Sequence, residues 1–296
     1  MRILWFILSP LIALAVGLFF LGLSRRIMAR IHWRYGPPLY QPLIDILRQF
    51  TQKSVSHGRL FDIGIVLSLA GSIVLIEFLP FGGISPMSSS GGMLVILYVM
   101  LLMPLGVALS GGEAANPNTS IGISRKLILA MGYELPLLLV LLALMTRYET
   151  ISIVEIVSAQ RVTGPAFVSF PLVLSGLAYL LIMPAVLGVR PFEVVQAPQE
   201  ISSGPMAEYG GPYLALATIQ HALSLFIGTS LFVNLLWGGA ANPVVLLLKM
   251  LVVFVLVLFV NASFPRLRVE QAVRYLWRWP SLAALVGLIL VATIGR

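Results

Sequence analysis

The chain has 296 residues, of which 59% are hydrophobic and only 10% charged, too few polar side chains to cover a soluble globule of that size. Its net charge of +8 gathers beside apolar runs, which argues for membrane flanks and against a nucleic-acid partner. Cysteine is absent, which excludes disulfides, thiolate zinc sites and cysteine-ligated iron–sulfur clusters and leaves any metal chemistry to a partner.

A bilayer core is crossed by about 20 apolar residues, and eight stretches qualify or come close: 3–23, 61–80, 92–110, 126–146, 169–188, 212–237, 243–262 and 280–295. The expectation is an all-α integral membrane protein of about eight transmembrane helices, a single membrane domain over residues 1–296. The first run, 3–23, has one arginine before it and no small-residue cleavage site after it, so it reads as a retained helix. The last run is short and can begin near Arg274 as a helix bent at Pro280.

The loop after the first span is long, basic and patterned. Beyond Gly36-Pro37-Pro38, the residues Tyr40, Leu43, Ile44, Leu47 and Phe50 recur at helical spacing, which predicts an amphipathic helix at the membrane surface. Lipid anchoring and protein docking both fit such a helix; the rigid Gly-Pro-Pro bend favours docking.

Ionisable groups inside a span cost free energy and mark function. Glu134 lies eight residues beyond Lys126, about 12 Å along a helix, and Pro136 two residues later frees a carbonyl and favours a hydrated break. Lys249 lies six residues inside its span from Pro243 with no charged neighbour in sequence, so it needs a carboxylate or water from elsewhere. Glu77, three residues before Pro80, either snorkels outward or is functional, and Glu113 reads as solvated. Another loop sets Arg190 against Glu193, Glu200 and Glu208 among helix-breaking Pro and Gly residues, and it is either solvated or folded back on the bundle. His32, His57 and His221 are scattered and lack metal-ligand spacing, so each reads as structural.

An eight-span topology puts fourteen basic residues on one side and four on the other. The first set is Arg25, Arg26, Arg30, Arg34, Arg48, Lys53, Arg59, Arg125, Lys126, Arg190, Arg266, Arg268, Arg274 and Arg278, and the second is Arg2, Arg147, Arg161 and Arg296. The positive-inside rule makes the first set cytoplasmic.

Several blocks together resemble a known family. They are Arg34-Tyr35-Gly36-Pro37-Pro38 with Gln41-Pro42-Leu43-Ile44-Asp45; Gly122-Ile123-Ser124-Arg125 with Gly132-Tyr133-Glu134-Leu135-Pro136; Arg190-Pro191-Phe192-Glu193, Glu200 and Glu208-Tyr209-Gly210-Gly211; and Lys249 with Phe264-Pro265-Arg266, Arg268 and Gln271. In this order they are similar to the H-subunit family of respiratory complex I, on the branch of membrane anchors of energy-converting hydrogenases. Val195-Gln196-Ala197-Pro198 departs from the acidic run of quinone-reducing members. Asn116-Pro117, Ser124-Arg125 and Gly204-Pro205 preceding Glu208-Tyr209 look more like the hydrogenase branch.

The resemblance implies a membrane subunit that docks a soluble hydrogenase-like module and couples its electron transfer to proton or sodium translocation. It implies an ion path or coupling role for Glu134, Glu193, Glu200, Glu208, Lys249 and Glu77. Docking falls to Arg30, Arg34, Gly36, Pro37, Gln41, Asp45, Arg190, Arg266 and Arg268. No cofactor is expected in this chain; iron–sulfur clusters and a nickel–iron centre are expected in partners. These are a hydrogenase-like large subunit, an iron–sulfur small subunit and antiporter-like membrane subunits in a prokaryotic cell membrane. The alternatives are the quinone-binding subunit of a complex I-type NADH dehydrogenase, a sulfur-reducing relative and a stand-alone secondary transporter. The sequence shows no convincing internal repeat, which counts against the transporter.

Overall fold

The computed structural model describes residues 2–85, 87, 92–114 and 116–294; Arg296, one of the four minority-side basic residues, lies outside them. In chain order the helices are α1 (Arg2–Ile31), α2 (Gln41–Phe50), α3 (Arg59–Phe78), α4 (Gly92–Gly112), α5 (Pro117–Tyr148), α6 (Ile153–Thr163), α7 (Val173–Val186), α8 (Pro198–Ile201), α9 (Gly211–Leu236), α10 (Pro243–Ser263) and α11 (Val269–Ile294). A 3₁₀ turn at Gly204–Ala207 separates α8 from α9. Among the described residues seven helices, α1, α3, α4, α5, α9, α10 and α11, are long and apolar enough to cross a membrane.

Within the expected span 169–188 the helix is α7, of 14 residues, a shorter apolar helix than the seven others. That is about 21 Å of helix against a hydrocarbon core of about 30 Å. Pro171 cannot donate into a helical ladder, so the helix starts after it. Helix α6 is invisible to an apolar count: its polar residues mask a buried stripe of Ile153, Ile156, Val157 and Gln160.

Two other boundaries move for identifiable reasons. Helix α5 starts at Pro117, well before the expected position 126, because Asn116 caps it by accepting a hydrogen bond from the Asn118 amide at 2.9 Å, with proline at the first helical position. Arg125 and Lys126 are therefore helical and not loop residues. Helix α11 starts at Val269 and runs through Pro280. The carbonyl that Pro280 cannot satisfy, that of Leu276, accepts from Ser281 Oγ at 3.0 Å, so the expected bend does not become a break. Helix α5 likewise continues through Pro136, in place of the expected interruption.

The bundle packs through small residues, as lipid-solvated helices must without a hydrophobic drive between them. A side chain at Gly64 of α3 would sit 2.3 Å from the Ser110 amide of α4, and one at Gly106 would sit 2.5 Å from the Ser68 amide. The Ser68 hydroxyl donates across the same seam to the Met103 carbonyl at 2.9 Å.

The connections gather at two ends. At one, the basic end, the loop after α1 meets the acidic loop, since Gly210 and Gly211 pack against Ser54 and Gln52. At the other, the Phe167 amide donates to the Leu236 carbonyl at 3.0 Å and the Met93 amide to the Ile151 carbonyl at 3.1 Å.

Candidate functional site at the basic end of the bundle

Helix α5 presents Lys126, Leu129 and Tyr133 to a cavity of about 140 Å³ between α3, α4, α5, α7 and α9. Their i, i+3, i+7 spacing puts them on one face. Helix α9 faces them with Ala217, Gln220, His221, Ser224 and Gly228, again at helical spacing, so three polar side chains interrupt an otherwise apolar span. The loop after α7 closes the cavity with Phe192, Glu193 and Gln196, and Pro205 and Tyr209 reach it from beyond α8. His221, expected to be structural, lines this cavity. The overlooked signal is the Gln220-His221-x-x-Ser224 stripe, whose members share a face.

The acidic loop is folded back on the bundle, each carboxylate tied to a different partner. Glu193 Oε2 accepts from Arg190 Nε at 3.2 Å and from Arg266 Nε and Nη2 at 3.1 and 2.9 Å. Glu200 pairs with Arg125 of α5 at 2.8 Å. Glu208 accepts from Asn116 Nδ2 at 2.6 Å and lies 3.2 Å from His57 Nε2. The Gly204-Pro205 turn that carries the loop is seated on Gly122 of α5, where a side chain would meet Pro205 Cδ at 2.6 Å. Gly204 itself has φ +54°, a conformation that glycine adopts without strain. Tyr209 is buried against Phe61 at a ring separation of 5.5 Å, and its burial pushes the phenol up from its ordinary range.

The first loop is partly spent on its own structure. Burial alone would raise the Asp45 carboxyl, but hydrogen bonds from Arg25 Nη1 at 2.7 Å and Gln41 Nε2 at 2.9 Å prevail and hold it below the usual carboxylate range. Gly36 packs on Arg26 of α1, and Arg30 stacks on Tyr35 at 4.8 Å. Helix α2 buries Pro42 and Ile46, leaving Leu43, Ile44, Leu47 and Phe50 exposed beside Trp33, Tyr35 and Arg34. Of the expected docking residues, Arg30, Arg34 and this apolar face are presented outward, whereas Gln41, Asp45, Arg190 and Arg266 hold the chain to itself. The Arg268 amide donates to Gln271 at the start of α11.

The remaining charges divide differently from expectation. Glu134 is half-buried, on the flank of α5 between buried Leu137 and exposed Met131 and Leu138, adjacent to the cavity-lining Tyr133 but not itself on the cavity. Lys249 takes backbone acceptors where a carboxylate or water was expected. Its Nζ donates to the Trp237 and Gly239 carbonyls at 2.9 and 2.7 Å, acceptors left over where α9 ends. Glu77 does not snorkel. It is 5% exposed, with Oε1 at 2.8 Å from Ser9 Oγ. Glu113 is exposed as expected, and it also accepts from the Phe61 amide at 2.5 Å and so caps the start of α3.

This arrangement is found in known proteins. The family model described as NADH dehydrogenase matches residues 3–292. This chain belongs to the NADH dehydrogenase H-subunit family. Within it, hydrogenase-4 component C of Escherichia coli K12 is 33% identical over 90% of this chain and 89% of its own length. The H subunit of the NADH-quinone oxidoreductase of Dehalococcoides mccartyi CBDB1 is 26% identical over 93% and 81%, and formate hydrogenlyase subunit 4 of E. coli K12 is 28% identical over 99% and 100%. In three dimensions this family member is similar to a chain of the membrane-bound sulfane sulfur reductase, an archaeal respiratory membrane complex, with TM-score 0.94 and 36% identity over 100% of this chain and 99% of that one. This member of the NADH dehydrogenase family is thus a multi-pass membrane subunit of a redox-driven complex.

Proposed function

We propose that this chain docks a soluble, hydrogenase-like redox module on its basic, cytoplasmic end and couples electron transfer there to proton or sodium translocation. The observation that carries the reading is the acidic loop. Its three carboxylates join the segment after α10 and the body of α5 through ion pairs and the first loop through the Glu208–His57 contact, while the same loop walls a cavity lined by Lys126, Tyr133 and His221. A redox module bound over this loop changes the electrostatic environment of those pairs. The loop then has a second set of partners to exchange with, which is what a two-state coupling element requires.

Glu134 passes the change outward. Its carboxylate, on the flank of α5, is where an adjacent antiporter-like membrane subunit meets a chargeable group. Partners in this reading are a hydrogenase-like large subunit and an iron–sulfur small subunit carrying the nickel–iron centre and clusters, in a prokaryotic cell membrane. The uncharged run 195–198 contributes Val195 and Gln196 to the cavity wall, which favours these partners over a quinone-reducing complex. A second reading, the membrane subunit of a sulfur-reducing complex, is favoured by the 36% identity over the full chain to the sulfane sulfur reductase chain.

The test is Glu134→Gln in the assembled complex, which preserves shape but removes the exchangeable charge. Turnover with artificial electron carriers is expected to persist while ion uptake per electron in sealed vesicles falls sharply. An unchanged ratio removes Glu134 from the coupling path.

A further inference from the structure

On the outer flank of α5 and α11, at the basic end and away from the cavity, Ile128, Glu270, Val273, Arg274, Trp277 and Arg278 line an open groove of about 600 Å³. Its charges are arranged against the usual rules for a helix surface. Arg274 and Arg278 stand four residues apart, a like-charge pairing that destabilises a helix unless an anion lies between the two. Glu270 stands four residues before Arg274, the favourable order for an intrahelical ion pair, yet among the described residues neither arginine pairs with any carboxylate. The Arg278 guanidinium instead lies 5.0 Å from the Trp279 ring, held beside the groove.

Depth along the helix gives the second half of the argument. From its start at Val269, α11 rises about 8 Å to Arg274 and about 14 Å to Arg278. Arginines and a tryptophan together at the end of a span are the pattern of the interfacial zone where headgroup phosphates lie. Glu270 is one turn further from the membrane centre than Arg274, about 6 Å. The order read outward is therefore two cations, then one anion. Trp277, Val273 and Ile128 supply the apolar floor.

We propose that this groove binds one amine-bearing phospholipid, its phosphodiester held between Arg274 and Arg278, its ammonium at Glu270 and its glycerol and upper acyl chains on Trp277 and Ile128. The charge order matches the phosphate and ammonium of a phosphoethanolamine headgroup. An anionic lipid without an amine satisfies the arginines but leaves Glu270 facing a phosphate, and choline blocks the hydrogen bonds that a primary ammonium gives to a carboxylate.

The intact complex, purified in mild detergent, stripped of lipid and given equal phosphatidylethanolamine, phosphatidylglycerol and phosphatidylcholine, tests this by native mass spectrometry. One phosphatidylethanolamine per copy of this chain is expected to stay bound. Occupancy should drop about tenfold or more in the double variant Arg274→Gln, Arg278→Gln, and Glu270→Gln should abolish the preference for phosphatidylethanolamine over phosphatidylglycerol while keeping a lipid bound. Equal retention of the three lipids by the unaltered complex, or unchanged selectivity in Glu270→Gln, overturns the proposal. If the double variant does not assemble, a benzophenone side chain at position 128 decides the matter: crosslinking to phospholipid supports the site, and crosslinking to a protein subunit overturns it.

Discussion

Arg266 Nη2 lies 2.9 Å from Glu193 Oε2, a contact between segments 73 residues apart that clamps the acidic loop to the turn between α10 and α11. Both side chains are mostly covered, at 19% and 26% exposure, so the charge-assisted bonds are worth more than a surface pair. We predict that Arg266→Gln loosens the loop, costing about 1–3 kcal/mol locally, and speeds proteolysis within residues 190–210 several-fold. Arg190→Gln, which removes one longer contact, should do less. Equal cleavage of the unaltered chain and the Arg266 variant would refute the clamp.

Lys249 gives a prediction opposite to the one its position in a span invites. Because it satisfies two backbone carbonyls at the end of α9, Lys249→Met is expected to cost about 2–4 kcal/mol through orphaned acceptors. Thermal inactivation of the complex should shift downward by several degrees, with ions moved per electron unaltered. A stable variant with a lower ion ratio would instead place Lys249 on the ion path.

The seam between α3 and α4 tolerates no added atom. Gly64→Ala or Gly106→Ala drives a methyl into backbone of the facing helix, so loss of about 1–3 kcal/mol or more is expected, read as poor insertion and low recovery of the complex. Gly112→Ala, where a side chain meets nothing within 4 Å, is the control that should assemble normally.

The absence of native cysteine makes topology directly testable. Single cysteines at Ser56 and Ser158, both exposed and at opposite ends of the bundle, should react with an impermeant reagent from opposite faces of intact membranes. Ser56 is expected on the cytoplasmic face by the positive-inside rule. Reaction of both from one face would contradict the arrangement of spans.

Asp45 predicts a pH effect whose sign follows from its lowered carboxyl. A carboxyl held below its unfolded value stabilises the fold above that value and loses the contribution as pH falls through the folded one. The Arg25–Asp45 tie should therefore be intact at neutral pH and weaken only below about pH 4. Protection of the α2 amides, corrected for the intrinsic pH dependence of exchange, should fall there in the natural chain; in Asp45→Asn it should already be lower at neutral pH, by an amount in keeping with a partly exposed pair, about 0.2–1 kcal/mol, and the difference should vanish at acid pH.

The spans themselves were legible because hydropathy and loop charge report directly on lipid solvation. What escaped was set by partners distant in sequence. The length of α5 is written in Asn116-Pro117, a cap followed by a first-turn proline, but the apolar count begins only at Lys126. Pro280 reads as a bend, and only the folded chain shows that Ser281 takes the freed carbonyl and the helix continues. Glu77, Glu113 and Lys249 find their partners, the Ser9 hydroxyl, the Phe61 amide and the carbonyls after α9, in chain segments that spacing along the sequence does not connect to them. The site was half-readable: the three acidic residues stood out, whereas Lys126, Tyr133 and the His221 stripe are ordinary span residues until α5 and α9 are brought face to face.

The 14-residue length of α7 bears on how membrane voltage acts on the protein. The cavity is lined by Ala185, Val186, Leu187 and Gly188 at the end of that helix, and α7 itself is about 21 Å long where hydrocarbon is about 30 Å thick. Water filling the cavity would leave the same voltage to fall across the shorter length, a field about 1.4 times steeper. A charge displaced along α7 or the facing part of α9 would then do more electrical work per ångström than one moved beside α10, out of the total of about 2.3 kcal/mol per charge per 100 mV.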